Sequence, residues 1–209
     1  MVNLGRHIVL RTIAQVMAAL VLATQVMAAL LLLSTQAHAI DYVSEAEKWF
    51  ADVTTMKAKF TQVVSDGTMA EGMLHLRRPH RMKIIYDLED PLILLTTPVW
   101  LHVDRPKRKR LTSYPISETP LSLILQEDVK LRSEEFQTKS FIQDGIVSVI
   151  IEKKTGNAAG VLTLEFTEQP FELRRWTIKD ATDVTTRVTL HNMRFGHKYE
   201  NKFFAKAEY

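Results

Sequence analysis

KAKFTQVVSDGTMAEGMLHLRRP, residues 57–79, is the stretch on which the fold turns. From Lys57 onward the pattern has a period of two: Ala58, Phe60, Gln62 and Val64 alternate with Lys57, Lys59 and Thr61. That alternation is the mark of a strand with one buried face. Asp66-Gly67 then supplies a turn, and Met69 to Arg78 reads as the returning strand of a hairpin. On this second strand Gly72, Leu74, Leu76 and Arg78 share one face, while Met73, His75 and Arg77 share the other, which is expected to meet water. Arg78 is therefore in phase with the apolar face. If that face is interior, the guanidinium must find acceptors or cost several kcal/mol. Alternatively the strand has ended before Pro79, and Arg78 snorkels to solvent.

Working outward, Asp41 to Val53 places Val43, Ala46, Phe50 and Val53 on one side at three-to-four spacing and predicts an amphipathic helix. Downstream, strand-like runs recur over Met82–Tyr86, Pro91–Thr96, Val99–Asp104, Lys109–Tyr114, Phe136–Ile142, Ile146–Lys153, Val161–Thr167, Phe171–Lys179 and Val184–Met193. Turn residues such as Asp144-Gly145, Gly156-Asn157 and Gln169-Pro170 separate several of them. Many short strands joined by tight turns predict an antiparallel meander that curls into a barrel or half-barrel. One segment breaks the rhythm. Ser117-Glu118-Thr119-Pro120 offers an N-cap with Pro at the first helical position, ahead of Leu121, Ser122, Leu123, Ile124, Leu125 and Gln126. So aliphatic a helix cannot be solvated all round, and it is expected to press into the concave face of the sheet.

The ends and the composition bound the function. Met1 to Ala39 has no Asp or Glu, carries Arg6 and Arg11, runs apolar to Leu33 and closes on Ala37-His38-Ala39. This reads as a cleavable signal peptide, with an uncleaved membrane anchor as the alternative. Residues 40–209 then form a single domain, expected to be a monomer exported to a Gram-negative periplasm. The chain has no cysteine, so neither a disulfide framework, nor thiol chemistry, nor lipidation on cysteine is available to it. Its formal net charge is only +3, and both charged residues of the leader are Arg, so the rest is nearly balanced and no nucleic-acid partner is implied. His75, His80, His102, His191 and His197 lack metal-ligand spacing and read as strand-surface histidines. No nucleophile elbow, phosphate loop or dinucleotide motif occurs, so neither an enzyme nor a bound cofactor or metal is expected.

Taken together and in order, Phe60-Thr61-Gln62, Gly72-x-Leu74, Arg78-Pro79, Pro91 before an aliphatic strand, Trp100 to Asp104 and Pro120-Leu121-Ser122-Leu123-Ile124-Leu125 resemble the LolA family of lipoprotein carriers. Asn192-Met193-Arg194-Phe195 and the later Phe203 extend the resemblance over almost all of residues 40–209. It implies an open, curved antiparallel β half-barrel covered by short helices, mainly β with a helical lid. It also implies an apolar cavity for the acyl chains of client lipoproteins, lined by Phe60, Leu74, Leu76, Met82 and Ile84, with Leu121, Leu123, Ile124 and Leu125 as the lid. Arg78 would be the arginine that reaches across to the lid. An inner-membrane ABC-type releasing complex and an outer-membrane acceptor lipoprotein are the implied partners, with transport from inner to outer membrane as the task. A general periplasmic lipid or amphiphile binder and a sensor module that binds a protein partner are the alternatives.

The chain departs from the family pattern at Met82 and Ile84, where many members carry aromatics, and at Thr97-Pro98, which replaces an Asp-Gly turn. The run Arg105-Pro106-Lys107-Arg108-Lys109-Arg110 is unusually basic. It reads as a solvated turn, or as a contact for anionic headgroups.

Overall fold

The alternation seen in the sequence becomes one continuous sheet. In a computed structural model that describes residues 40–153 and 160–209, the strands are β1 (Thr55–Val64), β2 (Met69–Arg77), β3 (Arg81–Tyr86), β4 (Ile93–Thr96), β5 (Trp100–Arg105), β6 (Arg110–Pro115), β7 (Phe136–Gln143), β8 (Ile146–Lys153), β9 (Gly160–Thr167), β10 (Glu172–Asp180) and β11 (Thr185–Phe195). They pair antiparallel in the order β6-β5-β4-β3-β2-β1-β11-β10-β9-β8-β7. Each connection but one joins spatial neighbours. The exception is the passage from β6 to β7, which lie at opposite edges, and the two runs of strands meet where β1 pairs with β11. The proposed leader, residues 1–39, and the Gly156-Asn157 turn lie outside the described residues.

The hairpin that opened the argument has the expected register. Phe60 pairs with Gly72, Ala58 with Leu74 and Met56 with Leu76, so the apolar sets of β1 and β2 share the inner face. Gly72 is required there. A Cβ on it would lie 2.1 Å from the Ile85 carbonyl oxygen and 2.8 Å from the Phe60 ring. Phe60 meets Tyr86 edge to face at 5.2 Å, and the Tyr86 hydroxyl donates to Gln62 Oε1 at 2.9 Å. Burial pushes the Tyr86 phenol up to about 12. The one polar side chain of the inner stripe on β1 thus has a hydroxyl partner.

Two helices lie against the inner face. The first, α1 (Tyr42–Asp52), is capped by the Asp41 carboxylate, which accepts from Val43 N and Ser44 N. Its buried stripe is Val43, Ala46, Trp49 and Phe50, and both aromatics meet Phe166 of β9 edge to face. Trp49 thereby takes the place expected of Val53, which is only partly buried. The second, α2 (Ser122–Leu125), is a single turn within the long β6–β7 passage. The expected Ser/Thr cap does not form. Thr119 is extended and its hydroxyl donates to the Ile116 carbonyl at 2.9 Å, because the 3₁₀ turn Ile116–Glu118 uses it to close its own end. From α2 the chain returns over α1: Leu131 N donates to Glu47 Oε1 at 2.7 Å, and Arg132 pairs with Asp41. That guanidinium holds the Asp41 carboxyl well below the usual carboxylate range, with the Ser44 hydroxyl adding to the effect.

Candidate functional site

The side chains expected to line a cavity do come together. Phe60, Leu74, Leu76, Met82, Ile84, Leu123, Ile124 and Leu125 are all buried in one apolar cluster, and Leu121 packs against it half-buried. The three aliphatic side chains of α2 are buried within this cluster.

Beside this apolar packing, polar contacts hold the end of α2. The last carbonyls of a helix lack intrahelical donors. Here they are met by the turn that follows β2. His80 N donates to the Leu125 carbonyl at 2.8 Å, and the Arg78 guanidinium donates to the carbonyls of Gln126 and, at 3.4 Å, Glu127. Arg78 N in turn donates to the carbonyl of Thr54, just ahead of β1, at 2.8 Å, which fixes the arginine's backbone to the start of that strand. The buried Thr96 hydroxyl accepts from Met82 N and donates to the His80 carbonyl, both at 2.8 Å, which fixes the rest of the turn. The Arg78 guanidinium also lies 5.7 Å from the centre of the Phe50 ring. Its Nε is buried without a hydrogen bond among the described residues, and burial lowers its pKa. Arg78 therefore adopts the inward arrangement of the two left open by its phase. A positive group at helix-terminal carbonyls is favourable.

The outer face corrects two expectations. Arg77 lies opposite Arg78 in phase, yet it does not simply face water. Its Nη1 donates to Asn201 Oδ1 at 3.0 Å and to the Tyr199 carbonyl at 3.4 Å, and the guanidinium stands 4.9 Å from the Phe204 ring centre. His75 and His102, expected on the strand surface, are buried. The cause is one segment that periodicity does not register. After β11 the chain crosses the back of β1, β2 and β3 and reaches β5, as a strap formed by residues 197–209. Phe203 meets the His75 ring at 4.8 Å, the Tyr199 hydroxyl bonds His75 Nδ1 at 3.1 Å, Lys83 Nζ donates to the Phe203 carbonyl at 3.0 Å, and the Tyr209 hydroxyl donates to Asp104 at 2.7 Å. Burial, with Lys57, Lys83 and His197 nearby, pushes His75 down to about 4. Three aromatics between Tyr199 and Phe204 were the available signal. The basic turn is likewise partly engaged: Asp90 pairs with Arg108 at 2.7 Å and with Arg105 at 3.5 Å, and Lys107 donates to the Glu89 carbonyl.

A single curled antiparallel sheet with a helix and a short helical turn packed on its inner face defines the structural class. Sequence comparison is specific within it. Residues 51–206 match the family described as outer membrane lipoprotein carrier protein LolA, and the chain belongs to that family. No curated protein matches the sequence. Among solved structures the chain is similar to a LolA superfamily protein from Nitrosomonas europaea, at 8% identity over 78% of this chain and 96% of that one, with a TM-score of 0.47. It is similar also to the lipoprotein LppX of Mycobacterium tuberculosis, at 15% identity over 77% and 100% of the two chains, TM-score 0.40. An uncharacterized conserved protein from Thermus thermophilus shares 6% identity over 78% and 91%, TM-score 0.49. Among the described residues no helix is long and apolar enough to cross a membrane.

Proposed function

We propose that this protein is a periplasmic carrier that shelters the acyl chains of lipoproteins behind the α2 lid and moves them from the inner to the outer membrane. The observation that carries the reading is the lid itself. An apolar turn seals an apolar sheet face, yet it is tied to the neighbouring turn by hydrogen bonds from Arg78 and His80 N. An acyl chain gains about 0.8 kcal/mol per methylene on leaving water, so several methylenes offset the loss of those bonds together with the packing of Leu123 and Leu125. Closure then acts against retention, because the lid and the cargo compete for one surface. Such a carrier can pass its load to an acceptor without a nucleotide site of its own. The work of loading falls to a donor in the inner membrane, of the ABC type that the family implies, and delivery to an acceptor lipoprotein in the outer membrane.

Native mass spectrometry of the protein released from cells by osmotic shock tests this. The expected species begins at Ile40 and carries a lipoprotein whose mass includes its acyl groups. Recovery with free lipids alone points to a general amphiphile binder, and recovery of chains that still begin at Met1 in washed membranes overturns the assigned location.

A further inference from the structure

Residues 91–101 and 111–117 carry no charged side chain, in a chain of which 24% is charged. They meet at one end of the β5–β6 hairpin, where Trp100 pairs with Pro115 and Leu101 with Tyr114. The β4–β5 turn at this end leaves Val99 58% and Trp100 43% exposed, and Tyr114 on the neighbouring strand is 49% exposed. Pro98 is exposed as well. The basic run 105–110 lies at the other end of the same hairpin. The turn is also closed on itself. Thr97 N donates to the Trp100 carbonyl at 2.8 Å, Trp100 N donates to Thr97 Oγ1 at 3.0 Å, Ile116 N donates to the Val99 carbonyl at 2.9 Å, and Pro98 has no N–H to satisfy. Backbone groups already met within the protein can leave water for an apolar medium.

We propose that this tip, Pro98-Val99-Trp100 with Tyr114, inserts into the interfacial layer of a phospholipid bilayer and holds the protein there reversibly. Its size and chemistry choose lipid over a protein partner. A stable protein interface takes about 800 Å² from each side, much more than one turn and a tyrosine supply, whereas a bilayer surface closes around a narrow wedge. Trp and Tyr are the side chains favoured at headgroup level, each with an apolar body and one polar tip. An uncharged tip has no ion to desolvate on entry. So small an insertion binds more weakly than a single myristoyl chain, whose constant is about 10⁴ M⁻¹, so the protein still leaves cells in an osmotic-shock fluid. Thr97 and Pro98 border the same hollow as His80 and Leu125, so insertion sets the bilayer beside the turn that holds α2. The inference goes beyond the carrier reading and does not need it, since the tip enters lipid whatever the sheet encloses.

Trp100 reports the insertion itself, because the other two tryptophans, Trp49 and Trp176, are only 8% and 3% exposed. The protein released by osmotic shock is mixed with phosphatidylcholine vesicles whose acyl chains are brominated near the glycerol end, with unbrominated vesicles as reference. The expected emission shifts to the blue, and bromine quenches it several-fold more strongly than in Trp100→Phe, which keeps an apolar tip and lacks the reporter. Vesicle flotation should fall several-fold in Val99→Asp, a surface-turn variant whose circular dichroism should match the wild type. Absence of quenching in the wild type overturns the proposal and leaves the tip to a protein partner. Equal quenching in Trp100→Phe overturns it too, since lipid has then reached Trp49 or Trp176 inside the molecule. Flotation that needs phosphatidylglycerol and is lost in Lys109→Glu and Arg110→Glu, while Val99→Asp floats as before, overturns it in favour of the basic turn. No client lipoprotein or donor enters the assay, so a negative result leaves the carrier reading as it stands.

Discussion

Arg77 and Arg78 are adjacent in sequence and serve opposite faces of one strand. Arg78 ends the inner stripe and holds the carbonyls that follow α2, whereas Arg77 pins the strap. In Arg78→Leu the strand should persist, since Leu suits the inner face and a half-buried charge is removed. The closed form loses charge-assisted bonds that each contribute about 1.5–3 kcal/mol, so uptake of acylated client should continue while delivery to an acceptor fails. Delivery at the wild-type rate in a reconstituted transfer assay would show that the contact is only structural. Arg77→Leu should leave delivery intact and loosen the strap, seen as faster trypsin cleavage at Lys198 and Lys202. His75 adds a pH dependence. Its folded pKa, about 4, lies below the ordinary histidine value, because burial comes first and the charges of Lys57, Lys83 and His197 follow. The unfolded chain therefore binds more protons between the two values, and stability must rise with pH through that window. We expect the Tm to fall as pH drops from neutral toward 4, and the fall to be shallower in His75→Gln. An unchanged slope in that variant would assign the acid sensitivity to other groups.

At the scale of the element, α2 is too short to persist on its own and depends on docking. Leu123→Glu places a carboxylate among Leu125, Ile151 and Leu162, where its desolvation costs more than the lost contacts. The lid should then lose its amide protection while β1 to β3 keep theirs. Binding of a fluorescent fatty acid should weaken, because the carboxylate now lines the vacated site. A variant that folds and binds as the wild type does would remove residue 123 from the site. The elements themselves were legible because each reports its own surroundings. A half-buried strand alternates and an amphipathic helix repeats at three to four, so β1 to β11 and α1 fall within two residues of their expected bounds. The lid was legible from Leu121 to Leu125 as an apolar run, but its cap was not, since the competing use of Thr119 by the preceding turn is a matter of local geometry. The strap was invisible to periodicity for another reason. Lys57, His75, Arg77 and Lys83 are polar whether water or a Tyr199-Phe203-Phe204 segment lies over them, and only the fold brings that segment across.

At the scale of the whole molecule, the sheet is the fixed part and the two faces are closed in different ways. The inner face carries the lid, attached through a few polar contacts over an apolar surface, and the outer face carries the aromatic strap, anchored from His75 to Asp104. Ligand can shift such a protein only to the extent that it binds one arrangement better than another. In the function proposed above, the acyl chain does so by competing with Leu123, Ile124 and Leu125 for the inner face. The most direct test is hydrogen exchange measured by mass spectrometry, with and without a diacylglyceryl peptide. The account predicts that the peptide binds, that the segment from Ile116 to Gln126 loses protection as it does, and that β1 to β3 and β8 to β10 keep or gain theirs. Binding that leaves the lid as protected as before, with changes confined to the strap, would contradict it.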